Sequence, residues 1–201
     1  VVPIVGPSVR GGLGPVPLTS NTAGLGDISI GPALQWNDGV LLGRPFLQRV
    51  ETYVVLPTGR YDRAFSANPG SNLWTVEPYY ALTWLFTERW ETSWRFLYGI
   101  HGKNGETLVR PGQLFHVNFA ASYAVHPKLR LGAAGYALRQ TTEDSVAEIG
   151  SSGSKEKAWA LGPGLVYGTP DFSLMLSAPV EFAVRNRFQG SRFTLQLIHR
   201  L

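Results

Sequence analysis

The sequence lacks cysteine, long apolar runs and a high content of charge. Without cysteine it has no disulfides and no thiolate metal ligands. No stretch approaches the roughly 18 consecutive apolar residues of a membrane helix. Charged residues make up 16% of the chain, against roughly 25% in an average soluble domain. Such a chain can cross a membrane only as a closed β-barrel, because in lipid every backbone polar group must be hydrogen bonded within the protein.

The positive charge is small and scattered. The formal net charge is +4, and Lys and Arg form no patch of the kind that nucleic-acid-binding proteins carry, so no nucleic-acid partner is expected. The chain opens Val1-Val2-Pro3-Ile4, without the charged region and cleavage site of a signal peptide. We expect that a signal peptide and further N-terminal sequence have been removed.

The clearest pattern is a pair of alternating segments joined by the short turn Thr87-Glu88-Arg89. Side chains of a strand point alternately to opposite faces, so each segment has one apolar and one polar face. Both are long enough to span a bilayer as tilted strands of about 9–11 residues. The apolar faces carry Trp74, Val76, Tyr80, Leu82, Trp84 and Phe86 on the first segment, and Trp90, Thr92, Trp94, Phe96, Tyr98 and Ile100 on the second.

Ten such segments follow one another, and short and long connections alternate between most of them. This order is typical of an up-and-down barrel with short periplasmic turns and longer extracellular loops. The fold class predicted is therefore all-β, a transmembrane antiparallel up-and-down β-barrel forming one domain over residues 1–201. The segments are 1–11, 24–37, 42–57, 73–86, 90–102, 112–126, 128–142, 156–168, 171–185 and 191–201. The short turns include Asn37-Asp38-Gly39.

Aromatic residues recur near the ends of the apolar faces, where amphipathic rings form girdles at the two membrane interfaces. The predicted lower girdle, at the short turns, comprises Trp36, Phe86, Trp90, Tyr123, Tyr167 and Phe172. The predicted upper girdle comprises Trp74, Phe115, Trp159 and Phe193.

The opposite faces carry charges that are costly inside a barrel unless they are hydrated or paired. The predicted pore lining is Arg49, Glu51, Glu77, Arg95, His101, His116, Arg130, Glu181, Arg185 and Arg192. Register places Arg49 and Arg95 on either side of Ala81, which suggests a basic constriction and a weak preference for anions. The alternative is that these arginines pair with Glu51, Glu77 or Glu91 and brace the wall.

The sequence gives little support for a catalytic or metal-binding function. His101 and His116 face inward on neighbouring strands, so a metal site is conceivable, but barrel interiors need polar residues in any case. No Ser or Asp pairs convincingly with a His, so no enzyme and no cofactor is expected. Pro32, Pro78 and Pro163 lie on the apolar pattern. They mark either bulges that bend the wall or a gap through which an apolar substrate leaves sideways.

Several motifs resemble the Gram-negative outer-membrane channels associated with the meta-pathway of phenol degradation. They are Gly24-Leu25-Gly26-Asp27, Gly31-Pro32 with Trp36, Leu56-Pro57-Thr58-Gly59-Arg60-Tyr61-Asp62, Asn72-Leu73-Trp74-Thr75-Val76-Glu77-Pro78, Leu161-Gly162-Pro163-Gly164, Glu181-Phe182 and Arg185-Asn186-Arg187. The resemblance runs from about residue 24 to the C-terminus. It implies a monomeric channel of about twelve strands in the bacterial outer membrane. Ten are visible here, and we expect that an N-terminal pair is missing.

We therefore predict a passive diffusion channel for small molecules, which the resemblance suggests are aromatic or other small carbon sources. Its partners would be outer-membrane lipid or detergent and its substrate. The alternatives are a structural or adhesive barrel with a filled lumen, and a soluble ligand-binding barrel. Loops 12–23, 58–72 and 143–155 would face outside. The loop 58–72 either folds over the pore mouth or only packs on its neighbours.

Overall fold

A computed structural model of the protein describes residues 3–5, 12–13, 16–17, 19–146 and 155–199. Regular structure in these residues is β, and no helix among them is long and apolar enough to cross a membrane. Three small ladders join Ile4–Val5 to Gly24–Leu25, Gly12–Leu13 to Val16–Pro17, and Val109–Arg110 to Ser145–Val146.

The main sheet contains eleven strands, and all of its ladders are antiparallel. In chain order they are β1 (Ile28–Ile30), β2 (Ala33–Leu41), β3 (Arg44–Leu56), β4 (Thr75–Trp84), β5 (Trp90–His101), β6 (Leu114–His126), β7 (Leu129–Gln140), β8 (Lys157–Gly168), β9 (Phe172–Ser177), β10 (Val180–Arg185) and β11 (Thr194–His199). β1 and β2 lie end to end along β3, and β9 and β10 lie end to end along β8. The strands therefore form nine rows, curled into a half-barrel.

The nine rows match nine of the ten predicted segments, so the all-β antiparallel fold is confirmed. Short turns and longer connections alternate along them as predicted. The tenth segment, 1–11, lies mostly outside the described residues, and the total of twelve strands stays a prediction. Among the described residues the outer edges of β1, β2 and β11 carry no further strand of the sheet.

The first predicted turn is wrong. β2 continues through Asn37-Asp38-Gly39, where a bulge between Trp36 and Gly39 shifts the register with β3. The hairpin turns instead at Leu42-Gly43, both with positive φ (51° and 73°), as a two-residue type I′ turn requires. Trp36 consequently lies within the strand rather than beside a turn, and its predicted place in the lower girdle is corrected. An Asn-Asp-Gly sequence suits a bulge as well as a turn.

The prolines on the apolar pattern coincide with interruptions of pairing. Pro32 lies between β1 and β2. The β4–β5 ladder passes from Val76 to Tyr79 and omits the pairs at Glu77 and Pro78. Pro163 accepts a hydrogen bond from the Ala178 amide (3.1 Å) at the break between β9 and β10. A missing N–H costs little at such places, which favours the bend interpretation; the lateral route stays a prediction.

The sheet is apolar outside and polar inside. Large apolar side chains remain exposed on the outward face, among them Trp74 (55%), Trp90 (44%) and Trp159 (41%). The predicted girdle residues Phe86, Tyr167 and Phe193 are also exposed, while Tyr123 and Phe172 are half-buried. The set of buried apolar residues in the described part of the chain is small: Leu73, Tyr79, Leu97, Ala158 and Ala160. This inversion is expected of a wall whose outside meets lipid.

The loop 58–72 packs against the segment before β1. The Asp27 carboxylate accepts hydrogen bonds from the Gly59 amide (2.8 Å) and from the amide and hydroxyl of Ser71 (2.8 and 2.5 Å). Gly59 and Gly70 approach so closely that a Cβ on either would lie 2.7 Å from the other's backbone. The motif glycine at 59 is therefore required by packing, and the loop is tied to its neighbours.

Candidate functional site

The candidate site is the inward face of the curled sheet. A cavity of about 290 Å³ on this side is lined by Glu91 of β5, Arg130 of β7 and Gln196 of β11. These three strands are not neighbours in the sheet, so their side chains can line one cavity only on the concave side. Arg49 pairs in register with Ala81, and Ala81 with Arg95, as the sequence predicted.

Arg49 belongs to a hydrogen-bonded cluster with Glu51 and Tyr79. Its guanidinium forms an ion pair with the Glu51 carboxylate and donates to the Tyr79 hydroxyl (2.8 Å). The Tyr79 hydroxyl in turn donates to Glu51, which is 6% exposed. A further bond runs from Arg49 to Gln35 Oε1 (3.1 Å). Here the structure supports the bracing interpretation, because the Arg49 charge is neutralised across three strands.

Arg95 is placed differently. Its guanidinium carbon lies 4.2 Å from the centroid of the Tyr79 ring, a cation–π contact. Its Nε is buried and has no hydrogen-bond partner among the described residues. Glu77, also facing inward, interacts with Arg95 electrostatically, but no ion pair within 4 Å joins them in the described residues. Arg95 thus keeps much of its charge available to the lumen.

A second neutralised cluster lies towards the short turns. Arg130 Nε lies 3.2 Å from Glu91 Oε1, and the Ser122 hydroxyl donates to the same oxygen (2.9 Å). Arg130 also donates to Ser122 Oγ (3.0 Å) and to the carbonyl of Arg89 in the turn (3.0 Å). This cluster joins β5, β6 and β7 on their inward side.

Glu181 organises a third cluster around a residue that the sequence interpretation missed. Its carboxylate accepts from the Tyr136 hydroxyl (2.7 Å) and from the Gly190 amide (2.8 Å), and lies 3.4 Å from Arg187. Arg187 also lies 3.9 Å from Glu156, at the end of a loop. Burial raises the pKa of Glu156 above its ordinary value, and the charge of Arg187 opposes the rise. The connection 186–193 is thereby held to the inward side.

Two cavities meet around this connection. One, of about 370 Å³, is lined by His116, Tyr136, Glu181 and Arg187. The other, of about 280 Å³, is lined by Arg95, Asn118 and Tyr136. Arg192 lines both, is exposed, and forms no ion pair with any described residue.

The two inward histidines have separate surroundings. The His116 ring meets the Tyr136 ring edge-on at 5.6 Å, and its Nε2 is buried without a partner in the described part of the chain. His101 Nδ1 lies 3.1 Å from the Thr75 hydroxyl. No group of three or more His, Cys, Asp or Glu among the described residues is placed to hold a metal ion.

One predicted pore-lining residue is wrong. Arg185 pairs with Lys157, which pairs with Arg139 on the outward face. Strict alternation from the inward Glu181 would turn Arg185 inward. A bulge between Lys157 and Trp159 adds a residue at this point, and Ala183 there has φ of 51°. The extra residue moves Arg185 to the outside.

The other predicted pore-lining residues lie on the inward side, and their role in lining a pore stays a prediction. The residues that the sequence interpretation missed are Tyr79, Tyr136 and Arg187. The two tyrosines follow the alternation of side chains along their strands, so their inward position could have been predicted from the sequence. Arg187 lies outside any strand, and the sequence marks it only through the motif Arg185-Asn186-Arg187 of the family resemblance.

The fold is shared with a crystal structure of an outer membrane channel from Pseudomonas putida F1. The two chains superpose with a TM-score of 0.71 at 18% identity, over 88% of this chain and 65% of the channel. The chain thus spans slightly less than two thirds of that channel's length. The shared fold is that of an outer-membrane β-barrel, as the predicted location in the bacterial outer membrane requires.

Among curated proteins, no match to the chain was found. A family model described as "Putative MetA-pathway of phenol degradation" matches residues 1–197. This match includes all the motifs on which the sequence resemblance was based. The chain, with its apolar outward face and charged inward face, belongs to that family.

Proposed function

We propose that the protein is a passive diffusion channel of the outer membrane, acting as a monomer, which takes up small molecules and prefers anions. The observation that carries the proposal is the pair Arg95 and Arg192, which line one cavity on the inward side and form no ion pair with described residues. The fold shared with an outer membrane channel supports the transport role.

A cationic site in a narrow, partly desolvated passage raises the local concentration of anions, because low-dielectric walls focus its field. Arg49, Arg130 and Arg187 contribute less to this field, since each has a glutamate within ion-pair distance. The guanidinium fork of Arg192 suits a carboxylate, which it can bind through two hydrogen bonds.

Aromatic carboxylates are the substrate class that these cavities suit best. The rings of His116 and Tyr136 line the same cavity as Arg192, and the Tyr79 ring supports Arg95. A benzoate-like molecule would meet a cation and an aromatic face together. Uptake would follow the substrate's concentration gradient.

The alternative role is a barrel with a filled lumen, structural or adhesive. It is favoured by the connection 186–193, which Glu181 holds through Arg187, Gly190 and Gln189. A closed lumen predicts no conductance, whereas the channel predicts discrete steps.

The test is single-channel recording of the purified protein in a planar bilayer under a KCl gradient. We expect discrete steps and a reversal potential on the anion side. Arg192→Gln and Arg95→Gln should each move it towards cation preference, and benzoate should reduce the KCl current of the unmodified protein. Arg185→Gln is the matched control, because it removes the same charge from the outward face.

Absence of conductance in protein whose heat-modifiable mobility on gels shows correct folding would overturn the proposed channel function. It would favour the barrel with a filled lumen. A cation preference in the unmodified protein would leave a channel but remove the anion preference. An equal shift in Arg185→Gln would show that selectivity arises from overall charge rather than from the inward pair.

A further inference from the structure

The outward face carries a row of three cations near its upper end. Arg139, Lys157 and Arg185 are direct cross-strand partners on β7, β8 and β10. All three are exposed, and none forms an ion pair with a described residue. Like charges directly opposite each other destabilise a sheet. These three positive charges therefore need anions that the described residues do not supply.

The row lies at the end of the wall where the long connections are. Arg139 and Lys157 flank the connection 141–156, and Arg185 precedes the connection 186–193. In barrels of the outer membrane the long loops are extracellular. The three cations thus lie at the outer interface, on the side that faces lipid.

Below the row is an apolar groove. Arg139 and Lys157 line the upper part of a cavity of about 570 Å³ on the outward face. Its floor includes Ala137, which pairs with Val117 on one side and Trp159 on the other. Aromatic rings of Trp94, Phe96 and Phe119 line it as well, with Trp94 and Phe96 stacked at 6.2 Å. A small floor residue between large rings leaves an apolar groove that an alkyl chain can fill.

We propose that this surface is a binding site for a phosphorylated glycolipid of the lipid A type, which forms the outer leaflet of the membrane around the barrel. Its phosphates contact Arg139, Lys157 and Arg185, and one acyl chain lies in the groove over Ala137. The charge complementarity carries the choice of occupant: Arg binds phosphate bidentately, and a zwitterionic phospholipid would leave three adjacent cations without net compensation. The proposal is independent of the transport role.

The test measures binding of bis-phosphorylated, hexa-acylated lipid A to the purified chain in neutral detergent, by native mass spectrometry and by the change in tryptophan fluorescence. The triple variant Arg139→Gln, Lys157→Gln, Arg185→Gln should bind about a hundredfold more weakly, at roughly a fivefold loss per basic residue. The matched control is the triple variant Arg44→Gln, Arg89→Gln, Lys128→Gln, which removes three exposed cations at the short-turn end.

A second variant, Ala137→Trp, fills the groove and leaves every charge in place. It should weaken lipid A binding while a short-chain phosphorylated disaccharide binds unchanged. Heat-modifiable mobility on gels verifies folding of each variant. If only the charge variants fold, the comparison of lipid A with its dephosphorylated form on the unmodified protein decides the matter.

Equal binding of dephosphorylated lipid A would overturn the proposal, since it would show that the phosphates are not recognised. Competition by inorganic phosphate at the same concentration as lipid A would also overturn it, showing a site for free anions only. An equal loss in the control variant of Arg44, Arg89 and Lys128 would indicate general attraction of a basic protein to an acidic lipid, and would overturn it as well.

Discussion

The two faces of the wall formed by β7, β8 and β10 treat charge in opposite ways. Inward, Glu181 is surrounded by Tyr136, Arg187 and the Gly190 amide, so its buried charge is satisfied inside the protein. On the outward face, Arg139, Lys157 and Arg185 are cross-strand neighbours. No carboxylate of the described residues forms an ion pair with them. The difference shows that the inward face is neutralised largely by the chain itself, whereas the outward face depends on its surroundings.

The largest effect is expected on the inward side, from Glu181→Gln. The change leaves Arg187 without its main anion, and breaking a buried pair by removing one partner costs about 3 kcal/mol. The midpoint of thermal unfolding in detergent should fall, and the single-channel conductance should rise as the connection 186–193 is released. Glu156→Gln is the control, because it removes a half-exposed partner of the same arginine; an equal loss there would contradict the central role of Glu181.

A smaller effect is expected at the bulge that separates the faces, from Ala183→Gly. Ala183 has φ of 51°, a left-handed conformation that costs a residue with a Cβ about 1 kcal/mol. The free energy of unfolding should therefore rise by roughly that amount, and the midpoint of thermal unfolding should rise with it. A matching Ala160→Gly, in regular strand conformation, should be destabilised. Destabilisation of Ala183→Gly would show that the bulge is not strained.

A change of a few tenths of a kcal/mol is expected on the outward side, from Arg139→Gln in neutral detergent. Removing one of three like charges relieves repulsion between direct cross-strand partners, so the unfolding temperature should rise slightly. The inward counterpart, Arg130→Gln, should lower it because Glu91 loses its partner. If both variants shift the unfolding temperature in the same direction, the two faces do not differ in how their charges are compensated.

The smallest effect is expected from deleting Ala183. Without the extra residue, Phe182, Val184 and Arg185 alternate regularly, so Arg185 should keep its outward position opposite Lys157. The ratio of anion to cation permeability should therefore stay unchanged, whereas one more positive charge about 10 Å from the ion path would raise it roughly fourfold, at about 0.4 kcal/mol in water for each ion. Reversal potentials would measure it. A reversal potential shifted towards anions, together with weakened lipid A binding, would mean that Arg185 had turned to the lumen.

The regular part of the wall was predictable because alternation of side chains is a local rule. The register of Arg49, Ala81 and Arg95 follows from the lengths of two hairpins, and the structure has it as predicted. The partition of inward and outward residues on β4 to β8 follows from the same rule.

Both failed predictions lie where an extra residue enters a strand. Trp36 and Arg185 both follow or adjoin bulges, and one residue inverts all positions beyond it. The role of Arg187 could not be predicted for another reason: its partner Glu181 becomes a neighbour only through the fold of the connection between them. The sequence left two alternatives for Arg49, an ion pair with Glu51 and an unpaired cation. Residue types alone do not decide between them, because they do not determine the distance between the two side chains.

The order of the rows bears on how the protein assembles. Each ladder of the main sheet joins rows that are consecutive in the chain, so the wall can grow hairpin by hairpin with short loop closures and low contact order. The tight turn at Leu42-Gly43 closes one hairpin at once. The connection 57–74 is the longest that must close, and Asp27 holds it from outside its own hairpin. Pairing of β3 with β4 is therefore the step whose rate should respond most to changes at Asp27.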